Sequence, residues 1–129
     1  MEKSSNIKSG GIGPISFSIK LARKADAATE EIEIKNAKAT SDNALPESFW
    51  ACFEVTQHLL DKLDSYQRVD AASPPKPMSS LECFDADQIA KDVASGNATA
   101  FQGEKYIVSE RIVVVYDDGR GFAWDQRIN

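Results

Sequence analysis

Five consecutive β-formers, Ile112-Val113-Val114-Val115-Tyr116, run directly into Asp117-Asp118-Gly119-Arg120. An apolar run without polar alternation reads as a strand buried on both faces, because a strand with one wet face must alternate. The Asp-Gly that follows is a strong hairpin signal, since both residues tolerate the backbone conformations of a tight turn. Taking Asp118-Gly119 as a two-residue loop places Asp117 opposite Arg120 and Val115 opposite Phe122, with Phe122-Ala123-Trp124 as the partner strand. A sheet is thereby seeded near the C-terminus, and the remaining chain must cover both of its faces.

The other segments supply strands first, then helices, then strands. Ile15, Phe17, Ile19 and Leu21 alternate with Ser16, Ser18, Lys20 and Ala22, and Glu31 to Lys35 alternates again, which predicts an N-terminal hairpin across a polar loop at 23–29. Ser41-Asp42-Asn43 offers helix caps, Pro46 suits a first helical turn, and Phe49, Cys52, Phe53, Thr56, Leu59, Leu60 and Leu63 share one stripe at helical spacing. That pattern predicts a helix over about 45–66. Ser73-Pro74-Pro75-Lys76-Pro77 reads as a polyproline-like connector rather than a ligand motif. Asp85 caps a second helix with Ile89, Ala90, Val93 and Ala94 on its buried face, ending at Gly96 or Asn97. Thr99-Ala100-Phe101 and Tyr106-Ile107-Val108 flank a turn built on Gly103, and Ser109 to Arg111 interrupts the apolar pattern as a bend or bulge. This order predicts an α+β fold. One mostly antiparallel sheet of four to six strands combines the N-terminal hairpin with a C-terminal meander, and two helices pack on one face.

A chain of 129 residues, 42% hydrophobic, is expected to form one domain with a real core, here 14–129, behind a flexible lead-in at 1–13. No stretch approaches the roughly 20 apolar residues of a membrane helix, and Met1 to Gly11 has no apolar signal-peptide core. With Cys52 and Cys83 as its two cysteines, the chain reads as cytoplasmic with both thiols reduced. Its net charge of −5 is uneven. Lys3, Lys8, Lys20, Arg23 and Lys24 face Glu2 at the start, whereas residues 42–92 hold ten acids against Lys62, Arg68, Lys76 and Lys91. An acidic middle disfavours phosphate tracking and suits a basic protein partner; nucleic acid is not expected.

The candidates for chemistry are few. His58, alone of its kind, falls opposite the apolar stripe and has no Ser or Cys nucleophile at hand. Asp117, Asp118 and Asp125 could gather at the last hairpin, but turn geometry accounts for the first two. Cys52, Cys83 and His58 lack zinc spacing, and Gly10-Gly11-Ile12-Gly13-Pro14 follows no strand. No enzyme activity, cofactor or metal is therefore expected. The feature that departs from a bland domain is Trp50, placed by the helical wheel at the stripe's edge among Glu54, Gln57, Asp61 and Asp64, with Glu47 nearby. An aromatic anchor ringed by carboxylates suits docking on a basic surface. The expectation is a small acidic protein-binding module, an inhibitor of the immunity-protein or anti-defence type, acting as a monomer or homodimer. The alternative is a subunit or assembly factor that associates through a sheet edge or an apolar patch.

Overall fold

The computed structural model describes residues 17–41, 49–70, 72–77 and 81–128. Ile15, the caps at Asp42 and Asn43, Pro46 and Glu47 lie outside the described residues. The chain forms a two-stranded ribbon, β1 (Ile19–Ala22) and β2 (Thr29–Ile32), and a five-stranded sheet. The sheet contains β3 (Ile34–Ser41), β4 (Phe49–Val55), β5 (Ala98–Lys105), β6 (Ser109–Tyr116) and β7 (Arg120–Arg127) in the order β3-β4-β7-β6-β5, with every neighbour antiparallel. The expected single sheet is thus two, because the N-terminal hairpin pairs with itself (Ile19 opposite Ile32) rather than joining the meander.

The period of two along each strand divides the core. One cluster takes Ala51, Phe53 and Val55 of β4, Val113 and Val115 of β6, and the ribbon's Ile19, Leu21 and Ile32. The other takes Trp50 and Cys52 of β4, Ile112, Val114 and Tyr116 of β6, and Phe122 and Trp124 of β7. Residues 112–116 are buried throughout, as their unbroken apolar run requires.

The predicted long helix is absent. Phe49 to Val55 is β4, and only the short α1 (Gln57–Asp61) and a 3-10 turn (Leu63–Ser65) follow it. A central strand buried on both faces loses its alternation, so Phe49, Cys52 and Phe53 fit a helical stripe equally well. In the sheet, Cys52 and Phe53 point to opposite clusters. The second helix, α2 (Ala86–Ser95), matches its signals: the Asp85 carboxylate accepts the Gln88 N–H at 3.1 Å, and Gly96 closes it at φ +86°. The two helices do not share a face. Leu59 of α1 joins the ribbon-side cluster, and Ile89 of α2 joins the other.

Two turns also differ from expectation. Gly119, at φ +96°, donates its N–H to the Tyr116 C=O at 3.0 Å, so the loop holds three residues, Asp117, Asp118 and Gly119. Val115 then faces Gly121, and Val114 faces Phe122. Left-handed glycine at the last loop position is what a three-residue hairpin uses, and it shifts the pairing by one. The Gly103 turn does not form. β5 runs on to Lys105 through a register shift after Gln102, and the reversal falls at 106–108.

A strap covers the gap between ribbon and sheet. Gln67 N–H donates to Ala22 C=O and Lys24 N–H to Ser65 C=O on one side; Val69 N–H donates to Ala100 C=O and Gln102 N–H to Gln67 C=O on the other. Finally, Cys52 and Cys83 are joined in a disulfide, which replaces the two expected free thiols. A separation of 31 residues hides such a pair from local pattern reading.

Candidate functional site

The described surface carries one conspicuous apolar projection, the β5–β6 reversal. Ile107 is 98% exposed, and Tyr106, Val108 and Ile128 are exposed beside it. The backbone is tied on both flanks: Tyr106 N–H donates to Ser109 C=O at 2.7 Å, and Ile128 N–H donates to Val108 C=O at 2.9 Å. Contiguous exposed apolar patches on monomers are often functional.

What stiffens the projection lies directly behind it. Arg111 and Asp125 face each other across β6 and β7 and form a bidentate pair, Nε to Oδ1 at 2.7 Å and Nη2 to Oδ2 at 3.1 Å. Their side chains are 12% and 7% exposed. The guanidinium lies 3.8 Å from the centre of the Phe49 ring and 5.7 Å from that of Tyr106. Phe17 meets Phe49 edge-on at 5.6 Å, so the stack extends to the start of the described chain. Burial works against the Arg111 charge, yet the carboxylate of Asp125 outweighs it and holds the guanidinium above its ordinary pKa. Gly103 is required here, because a Cβ at that position would come within 2.8 Å of the Arg111 carbonyl oxygen.

The residues singled out by sequence are not gathered as expected. Trp50 is 4% exposed, lies opposite Trp124 in the sheet, and donates its Nε1–H to the Pro75 C=O at 2.9 Å. So buried and satisfied, the ring does not stand at the surface where the helical wheel places it. The reason is the strand conformation of 49–55, which turns its ring into the α2-side core. Glu54 is exposed and accepts from Asn36 Nδ2 at 3.0 Å. Gln57 donates to Asp61 at 2.9 Å, and Asp64 pairs with Arg68 at 3.1 Å. These polar residues do lie exposed on or beside α1, but without the aromatic centre. His58 is exposed on α1.

Asp118 pairs with Arg120 at 2.9 Å, whereas Asp125 is taken by Arg111 further along β7. Among the described residues no group of three His, Cys, Asp or Glu is placed to hold a metal ion. An open depression of about 430 Å³ lies between the proline connector and the start of α2, lined by Lys76, Pro77, Leu81, Phe84 and Asp85 among others. A second polar latch fixes α2: the Tyr116 hydroxyl donates to Asp92 Oδ2 at 2.5 Å, and burial followed by that carboxylate pushes the phenol up.

Sequence reasoning missed Tyr106-Ile107-Val108 by assigning it to a strand. The available signal was Gly103, which marks a bulge within a strand as readily as a turn. A profile described as a family of unknown function (DUF6446) matches residues 19–129. No curated protein and no solved structure matches the chain.

Proposed function

From the premise that the chain belongs to this family of unknown function, we propose that it is a small, non-enzymatic protein-binding module that docks through its β5–β6 tip into an apolar cleft of a partner protein. The observation that carries this reading is the near-complete exposure of Ile107 between Tyr106 and Val108. A tip already held by its backbone bonds and by the Arg111 stack loses little freedom on docking, which favours affinity. Burying it removes apolar area from water at roughly 25 cal/mol per Å² before the costs of association. Tyrosine at such a centre combines apolar area with a polar handle.

A second reading keeps the occlusion of a basic partner, as an inhibitor would achieve it, and places contact at Glu54, Gln57, Asp61 and Asp64 around α1. Their exposure supports it. A photo-crosslinking residue placed at position 107 or position 64 in living cells separates the two. The tip reading expects one discrete adduct from position 107, lost when the parent chain competes in excess but retained when the Ile107→Asp chain does, and none from position 64. An adduct from position 64 alone selects the acidic surface. Failure of both positions in a folded protein refutes the binding reading itself.

A further inference from the structure

We infer that the Cys52–Cys83 disulfide is the working state of this chain, installed by a disulfide-donating protein in an oxidising compartment, with Cys83 as the sulfur that the donor meets first. Several observations converge on it. Both of the chain's cysteines are used, and their Cα atoms lie 6.4 Å apart. The bond fastens the segment that leads into α2, whose Ala72 and Leu81 are only partly buried against the α2-side core. Among the described residues 72–77 three are proline and none is buried. One of the segment's attachments is the hydrogen bond from Trp50 to Pro75. Cys83 is its covalent attachment, and the next residue, Phe84, is seated edge-on against Phe122 at 5.9 Å and Trp124 at 6.2 Å. The disulfide therefore holds the lid of the α2-side core on β4. Persistent structural disulfides belong to oxidising compartments, whereas cytosolic glutathione and thioredoxin keep such pairs reduced.

Access sets the order of the chemistry. Cys52 is buried on β4, between β3 and β7, while Cys83 is an exposed residue in the turn before α2. The Cys83 thiolate attacks the donor's disulfide, forming a mixed disulfide and releasing one donor thiolate. The Cys52 thiolate then attacks the Cys83 sulfur and releases the second. Two thiols of this chain lose two protons and two electrons in all, and the donor's disulfide becomes a dithiol.

The test reads thiol state directly. Native host cells are quenched in acid, and the chain is alkylated with a polyethylene-glycol maleimide and resolved by mass. No adduct without prior reduction, and two adducts after it, is the expected result. Two adducts without reduction overturn the inference, and so does one, which would show a cysteine bound elsewhere. The order is tested by trapping. Cys52→Ser should accumulate a covalent complex with the donor on non-reducing gels, at least ten times more than Cys83→Ser. Equal or reversed trapping overturns Cys83 as the entry sulfur while leaving the first measurement intact. The comparison is repeated on the folded, reduced chain, where iodoacetamide should alkylate the exposed Cys83 at least ten times faster than the buried Cys52; equal or reversed rates overturn Cys83 as the entry sulfur.

Discussion

The Arg111–Asp125 pair allows a sharp test of how this fold holds its projecting tip. Both side chains are almost wholly removed from water, and each oxygen of the carboxylate receives one guanidinium N–H. Asp125→Ala removes both hydrogen-bond acceptors from a cation held between Phe49 and Tyr106, leaving only the weaker, unbonded pull of Glu104. Breaking a buried pair from one side typically costs about 3–5 kcal/mol, because the remaining charge is left unsolvated. Replacing both members with apolar residues of similar volume is often neutral or stabilising by about 1–4 kcal/mol. Arg111→Met with Asp125→Leu should therefore lie within about 1 kcal/mol of the parent, once the loss of roughly 0.5–2 kcal/mol of cation–π attraction to Phe49 is set against the relieved desolvation. Urea titrations of the parent, both single variants and the double variant give the full cycle. A cost under about 1 kcal/mol for Asp125→Ala would refute the reasoning. So would a double variant as unstable as the single.

Other consequences can be measured on the same footing. A Cβ added at Gly121 would sit 2.2 Å from Phe53 Cε1, so Gly121→Ala should cost about 1–3 kcal/mol by overpacking, and Phe53→Leu in the same chain should recover part of it. Val114→Asp buries an unpaired charge at a fully buried position and should leave no cooperative melting transition by circular dichroism. The Tyr116 hydroxyl foremost, with Gln88 and Asn97, holds the Asp92 carboxyl below its ordinary 3.8. A depressed carboxyl contributes stability that is present above its unfolded pKa and is lost as pH falls through the folded one. Tyr116→Phe should therefore lower the urea midpoint at neutral pH, with the gap narrowing as pH falls through the depressed Asp92 pKa; a gap independent of pH would show that the hydroxyl acts through packing alone.

Legibility in the sequence followed the range of each determinant. Asp85 and Gly96 announce α2 because a cap and a left-handed stop act within one turn of the residues they govern. The run at 112–116 announces a buried strand for the same local reason. Phe49 to Val55 was illegible because burial on two faces erases the alternation that distinguishes strand from helix, and that error alone turned Trp50 outward. The register of the last hairpin was one residue away, since Asp-Gly serves loops of two or three residues. Gly103 signals an irregular β5, but the exposure of Ile107 depends on the register shift after Gln102 and on Arg111 reaching Asp125 across the sheet.

The strap at 65–69 has one more consequence. By bonding to β1 and β5 at once, it occupies backbone groups on two strands that would otherwise present a template to another chain. β2, with four residues, is too short to serve as one. β3 is longer, but its pairing slips between Lys35 and Lys38, Asn36 sits at φ +53°, and both lysines are exposed. Kinks and lysines of this kind are how natural sheets discourage edge-to-edge growth. The same few residues that complete the fold of this largely β domain thus also blunt its strand edges.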